Sequence, residues 1–99
     1  MIIRIVSLTI QKDLVEDFIL FFRETEKTIR NFHGCLHLEL LYDIAQPHKL
    51  VTYSHWQDEE ALERYRASEI FREIWGQAKK YFSEKPLATS FAKYPPVKN

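Results

Sequence analysis

The chain has 99 residues, of which 45% are hydrophobic and 28% are charged, the composition of one folded globular domain. Fourteen basic and 14 acidic residues give a formal net charge of zero. Because the basic residues are scattered among acidic ones, neither nucleic acid nor an anionic membrane is expected as a partner.

Cys35 is the only cysteine, so no disulfide can form within the chain. It is interpreted as a buried, unreactive thiol rather than a nucleophile. The longest apolar run, 18–22, is far shorter than the roughly 20 residues of a membrane span, and no export signal is recognised. We therefore expect a cytoplasmic protein.

The first 32 residues predict a strand followed by a helix. Residues 1–10 are rich in β-branched side chains and apolar at both odd and even positions, as in a strand buried on both faces. Asp13 followed by Glu16 fits a helix start. The apolar face of this helix is predicted from a spacing of three and four residues, at Leu14, Phe18, Phe21, Phe22, Thr25, Ile29 and Phe32. Gly34 is expected to adopt a left-handed conformation that stops the helix.

Two strands joined by a hairpin loop follow. Residues 35–42 alternate between apolar and polar side chains, and residues 50–56 form the return strand. A short loop containing Pro47 separates them, so they are expected to pair antiparallel.

The remaining chain predicts a broken helix and a last strand. Asp58 is the predicted N-cap of one helix and Ser68 that of the next, with an interruption near 67–69. Residues 87–92 read as a short strand. We assign one domain to residues 1–94 and a C-terminal tail to residues 95–99.

The element order strand, helix, strand, strand, helix, strand predicts an α+β fold of the ferredoxin-like βαββαβ type. It would have a four-stranded antiparallel sheet with two helices on one face. The other face would expose more apolar surface than a monomer usually carries. We therefore expect a homodimer that packs sheet to sheet.

The segment 32–71 resembles the antibiotic biosynthesis monooxygenase family of dimeric α+β barrels. The resemblance is carried by Gly34-Cys35 opening a strand, a hairpin proline, Trp56-Gln57-Asp58, Ala61-Leu62, and Ser68-Glu69-Ile70-Phe71. It implies a pocket between sheet and helices in each subunit of a homodimer. It also implies oxidation of phenolic, quinol or polycyclic aromatic compounds by O₂ without metal or flavin, because an ionised phenol is itself an electron donor.

A related branch degrades haem with an Asn, a Trp and a His at positions that correspond here to Val6, Tyr65 and Trp75. None of the three matches, which disfavours haem degradation. Many other members carry a His where this chain has Tyr65. A phenol can hydrogen-bond a substrate but is a poor base near neutral pH.

Candidate catalytic residues are His37, Tyr53 and His55, which with Glu39 share the parity of two neighbouring strands. Such a polar cluster could orient or deprotonate a hydroxyl group. A hydrogen-bonded network in the dimer interface, or side chains that are partly solvated, explains the cluster somewhat better, because parity does not tell which sheet face meets the helices. The histidine spacing is a weak signal for zinc, and no metal or other cofactor is expected.

Candidate substrate-binding residues are Trp56, Tyr65, Phe71 and Trp75, whose flat rings suit an aromatic ligand. Core packing explains Trp56 better, and explains Tyr65 and Trp75 about equally well. The favoured function is a cofactor-independent monooxygenase, and the alternative is a non-catalytic binder or structural dimer of the same fold. An enzyme is expected to have a His or Glu in the pocket between sheet and helices, whereas a binder could have an apolar one.

Overall fold

The computed structural model describes residues 1–94 and contains four strands and three α-helices in the predicted order. The strands are β1 (Ile2–Thr9), β2 (Cys35–Tyr42), β3 (Lys49–Trp56) and β4 (Leu87–Phe91). The helices are α1 (Val15–Arg30), α2 (Glu59–Arg66) and α3 (Glu69–Ala78), with 3₁₀ turns at Lys12–Leu14 and Lys79–Tyr81. The predicted tail, 95–99, lies outside the described residues.

The strands form one antiparallel sheet in the order β2-β3-β1-β4. β1 lies between β3 and β4, and the helices cover one face of the sheet. This confirms the predicted ferredoxin-like α+β fold, with the second helical region divided between α2 and α3.

The alternation of side chains along β3 decides which residues the helices cover. Leu50, Thr52, Ser54 and Trp56 are buried, whereas the residues between them are only partly buried. The even-numbered residues of β3 therefore face the helices and the odd-numbered ones face away.

The core lies between that sheet face and the helices. Phe18, Phe22 and Ile29 of α1 are buried, which confirms the predicted apolar face. Leu8 and Ile10 are almost fully buried on the sheet side. Burial of each such side chain stabilises the fold by about 1.5–3 kcal/mol.

Two of the three predicted helix starts are confirmed. Asp58 Oδ1 accepts a hydrogen bond from the Ala61 amide at 2.8 Å, and Ser68 Oγ accepts one from the Phe71 amide at 3.1 Å. The start predicted at Asp13 is wrong, because this residue lies inside the 3₁₀ turn that precedes α1. No side chain caps that end. The chain is held there by the Gln11 amide, which donates to the Tyr81 carbonyl at 2.8 Å.

Gly34 joins the end of α1 to β2 with a φ of +93°, which confirms the predicted left-handed conformation. A side chain at this position would collide with Cβ of Ala61 in α2. Glycine is needed here for both the turn and the close approach of the two segments.

The face of the sheet that no helix of residues 1–94 covers is called the open face. The register of the strands shows which residues lie on the open face. They are Ile3, Ile5, Ser7, His37, Glu39, Leu41, Val51, Tyr53, His55, Leu87, Thr89 and Phe91. Leu87 is 72% exposed and Phe91 is 49% exposed. Within residues 1–94, no helix combines the length and the apolar character that crossing a membrane requires.

Candidate functional site

A cavity of about 350 Å³ lies between the helices and the covered face of the sheet. This volume falls within the range of small-molecule sites, roughly 300–1,000 Å³. Its walls are mostly apolar and aromatic. The residues that line it are Arg4, Val6, Phe22, Ile29, Leu38, Thr52, Ser54, Trp56, Leu62, Tyr65, Arg66, Phe71, Trp75, Lys79, Phe82, Lys85, Pro86 and Ala88.

Two stacked rings form one wall of the cavity. The Trp56 indole and the Tyr65 phenol have centroids 4.8 Å apart and planes inclined by 25°. Trp56 ends β3, and the Asp58 cap starts α2 directly afterwards, so that Tyr65 comes back over the indole in the last turn of that helix. Trp56 Nε1 donates to Ser54 Oγ at 3.0 Å, which satisfies its buried N–H group.

The break between α2 and α3 brings two more aromatic side chains to the same wall. Ser68 Oγ donates to the Tyr65 carbonyl at 2.6 Å and also caps α3, so it fixes the angle between the two helices. Phe71 then packs edge-on against Tyr65 at 5.2 Å. Trp75 lies one turn further along α3 and donates its Nε1–H to the Tyr65 hydroxyl at 3.3 Å.

The Tyr65 hydroxyl is held in its neutral form. Burial raises the pKa of Tyr65 to about 12, although the hydrogen bond from Trp75 acts in the opposite direction. A neutral phenol in the cavity can donate its proton in a hydrogen bond, and it cannot act as a base at neutral pH.

Arg4 is the most enclosed charge in the cavity. It is the lone cation in the apolar strand β1 and lies on the covered face opposite Ser54 of β3 and Ser90 of β4. Its Nη1 donates to Ser90 Oγ at 2.9 Å. Burial lowers the pKa of Arg4, and the positive charge of Arg66 lowers it further, against an opposing effect of Glu63. The guanidinium stays protonated at neutral pH and is stabilised by any anion that enters the cavity.

The other charged residues that line the cavity are also cations. Arg66, Lys79 and Lys85 are exposed and lie where the cavity meets solvent. Arg66 Nη1 is paired with Glu63 Oε1 at 2.9 Å. Among the described residues, the charged side chains of the lining are thus all basic, in a chain whose net charge is zero.

The three predicted catalytic residues lie on the open face, together as their parity predicts. His55 Nε2 and the Tyr53 hydroxyl are 2.9 Å apart, and His37 Nε2 lies 3.2 Å from Glu39 Oε1. The rings of His37 and His55 are separated by 5.2 Å between centroids.

The sheet therefore divides the predicted site in two. Trp56, Tyr65, Phe71 and Trp75 line the cavity, whereas His37, Tyr53 and His55 are not among its lining residues. Within residues 1–94 the two groups lie on opposite faces of the sheet, because Thr52 and Ser54 occupy the covered side of β3 instead. The catalytic role of the three residues stays a prediction.

Sequence reasoning missed Arg4. The available signal was its isolation in a strand whose neighbours are isoleucine and valine, since a charged side chain is rarely placed on a face that becomes buried.

Cys35 is partly buried beside the end of β3. Burial is the main cause that raises the pKa of its thiol, which disfavours the reactive thiolate. Within residues 1–94, no group of three or more His, Cys, Asp or Glu side chains is arranged to hold a metal ion.

The sequence model of a protein family described as "Antibiotic biosynthesis monooxygenase" matches residues 1–76, which is 76 of the 99 residues. The matched region includes β1 to β3, α2 and most of α3, and so most of the cavity lining. Among curated protein sequences, none is found to match this chain.

Solved structures share the fold at low sequence identity. A crystal structure of an antibiotic biosynthesis monooxygenase superposes with a TM-score of 0.87 at 21% identity, over 96% of this chain and 100% of that chain. A putative antibiotic biosynthesis monooxygenase from Bordetella bronchiseptica gives 0.85 at 22% identity, over 93% and 95%. One from Deinococcus radiodurans gives 0.86 at 16% identity, over 100% and 98%.

Proposed function

We propose that this chain, which belongs to the antibiotic biosynthesis monooxygenase family, oxidises a phenolic, quinol or polycyclic aromatic compound with O₂ and without a cofactor. The observation that supports the proposal most is the cavity wall formed by Trp56, Tyr65, Phe71 and Trp75. Its flat rings complement a flat ligand and exclude water around it.

The proposed oxidation requires few protein groups, because the substrate itself supplies the electrons. An ionised phenol can pass one electron to O₂, and the resulting aryloxyl radical combines through a ring carbon with superoxide to form a peroxide. In an anthrone-type substrate, loss of water then leaves a carbonyl group, so that CH₂ and O₂ become C=O and H₂O. One oxygen atom enters the product and the other leaves as water, and the substrate supplies all the electrons.

The residues of the cavity would then act on the substrate anion. The protonated Arg4 favours the ionised form of the bound aromatic, because the attraction between opposite charges is strong where water is excluded. Tyr65, which stays neutral, donates a hydrogen bond to the same oxygen or to a neighbouring one. In this mechanism the ionised substrate comes from solution, and no protein base is required.

The alternative is a binder of the same fold that performs no chemistry on its aromatic ligand. One observation favours it. Among the described residues that line the cavity, none is a His, Asp or Glu that could accept a proton at neutral pH. The two functions are distinguished by turnover, since both require aromatic compounds to bind.

We also propose that the chain forms a homodimer through the open face. The supporting observation is the apolar surface there, to which Ile5, Val51, Leu87 and Phe91 contribute. The polar cluster of His37, Tyr53 and His55 would lie within this interface and be satisfied by its own hydrogen bonds.

The experiment that tests the function is oxygen consumption by purified, metal-stripped protein. A panel of quinols, naphthols and anthrones is compared with the rate of autoxidation in the absence of protein. Uptake that scales with protein concentration is the expected result. Saturable binding of the same compounds without uptake would favour the non-catalytic alternative.

A further inference from the structure

We infer that the ligand of this cavity is an aromatic carboxylate, whose rings lie against the Trp56–Tyr65 wall and whose carboxylate group is held by Arg4. The inference rests on the proposed function in taking the ligand to be aromatic, and it makes a carboxylate, rather than the ionised phenol, the anion that Arg4 binds. It adds a permanent negative charge, which phenols and quinols lack at neutral pH.

The first supporting observation is the charge of the lining. Four side chains among the described residues of the lining are charged at neutral pH, and all four are basic. One of them, Arg66, is paired with the carboxylate of Glu63. The whole chain is neutral, with 14 basic and 14 acidic residues. Cations are therefore concentrated at this cavity, a distribution that draws in negatively charged ligands and repels positively charged ones.

The second observation is the hydrogen-bonding state of Arg4. A guanidinium has five N–H donors. In residues 1–94, the side chain of Arg4 makes one hydrogen bond, to Ser90 Oγ, and lies within 4.0 Å of no carboxylate. Donors remain available for a ligand in a partly buried position, where an unpaired charge is costly.

The third observation is the kind of cation. The Arg4 side chain is anchored by Ser90 and presents a planar group, which suits two parallel hydrogen bonds to a carboxylate. Lys79 and Lys85 are exposed point charges nearer solvent, suited to attracting the ligand rather than orienting it.

Binding of matched naphthalene compounds tests this inference. The chain has two tryptophans, and both line the cavity, so quenching of their fluorescence reports occupancy. The titrations compare 1-naphthoate with its neutral counterpart 1-naphthamide at pH 7, and with 1-naphthalenesulfonate as an anion of different shape. We expect naphthoate to bind about tenfold or more tightly than naphthamide, and more tightly than the sulfonate, with an affinity that falls as salt is added.

Variants of Arg4 test whether this residue causes the preference for naphthoate over naphthamide. Arg4→Met should weaken naphthoate binding by about tenfold and leave naphthamide within about twofold, and Arg4→Lys should recover part of the loss. Arg64→Met is the matched control, because it removes the same charge from the outer side of α2, away from the cavity lining. Thermal unfolding of each variant shows that it is folded.

The inference would be overturned by equal binding of naphthoate and naphthamide, by equal losses of affinity for both compounds in Arg4→Met, or by no binding of either. Tighter binding of 1-naphthalenesulfonate than of 1-naphthoate would also overturn the inference, because the cavity would then favour an anion other than a carboxylate. Oxygen uptake with 1,4-dihydroxy-2-naphthoate and with its amide separates this inference from the proposed function. Selective binding of the carboxylate without uptake contradicts the function alone, and equal binding and oxidation of both compounds contradicts the inference alone.

Discussion

The Trp75 indole N–H donates to the Tyr65 hydroxyl at 3.3 Å across the break between α2 and α3. This contact joins two residues ten positions apart, and it places a neutral phenol and an indole at the same wall of the cavity. The geometry of the site therefore depends on how the break is held, and on the protonation state of Tyr65.

Stability at alkaline pH reports the protonation state of Tyr65. Its pKa is about 12 in the folded chain and about 10 in an unfolded one, so the neutral form is favoured by folding. The resulting stabilisation is complete below pH 10 and is lost as the pH rises towards 12. Raising the pH from 9 to 11 should therefore lower the free energy of unfolding of both proteins. The decrease should be about 1 kcal/mol smaller for Tyr65→Phe than for the wild type.

Urea denaturation of both proteins at the two pH values measures this difference. The two proteins differ only in the Tyr65 hydroxyl, so the comparison isolates the contribution of that group. Equal losses in the two proteins would mean that the Tyr65 hydroxyl is accessible to water.

Much of the fold was predictable because local patterns and tertiary packing agree. The alternation in 35–42 gives the limits of β2, and the phenylalanine spacing in α1 identifies its buried face. Asp58, Ser68 and Gly34 each act as the residue type predicts. Asp13 does not, because the contact of Gln11 with Tyr81, 70 residues away, sets the start of that segment and no local pattern encodes it.

The site was predictable only in part, because the period of two in a strand groups residues without saying which face is covered. His37, Tyr53 and His55 share a face as predicted, yet that face is the open one. The helices cover Thr52 and Ser54 instead. Arg4 enters the cavity only through the pairing of β1 with β3 and β4, which is a long-range property.

Substitution of Gly34 should destabilise the protein. Gly34→Ala forces a Cβ atom into a left-handed backbone and against Ala61, for a combined cost of about 2–4 kcal/mol. Gly76→Ala is the matched control, since Gly76 lies in α3 and nothing lies within 4 Å of an added Cβ. That control should gain up to about 1 kcal/mol, because alanine favours a helix over glycine. Chemical denaturation measures both, and similar stabilities for the two variants would contradict the close packing of Gly34 on α2.

The hydroxyl of Ser68 should matter to both stability and ligand binding. Ser68→Ala removes the cap of α3 and the bond to the Tyr65 carbonyl, which costs about 1–2 kcal/mol. Because Phe71 and Trp75 follow this cap, the affinity for naphthoate should fall as well. Ser68→Thr retains a hydroxyl group and serves as the control. A loss of stability with unchanged affinity would show that the cap does not position the aromatic wall.

The open face should determine the oligomeric state. Ile5→Glu places a charge at the centre of this face, between Tyr53 and Thr89, and burial of an unpaired carboxylate costs several kcal/mol. The variant should sediment as a monomer where the wild type sediments as a dimer. Leu20→Glu, on the outer side of α1, is the control and should remain dimeric. A monomeric wild type at micromolar concentration would contradict the proposed interface.

The central claim is that oxidation occurs in the cavity and not at the polar cluster of the open face. The rate of protein-dependent oxygen uptake in Trp75→Ala and His55→Ala, each compared with the wild type on the same quinol or anthrone, tests it most directly. We predict a fall of about tenfold or more in Trp75→Ala, which loses part of the aromatic wall, and a rate within about twofold of the wild type in His55→Ala. Loss of uptake in His55→Ala with a normal rate in Trp75→Ala would contradict the account and return the chemistry to the open face.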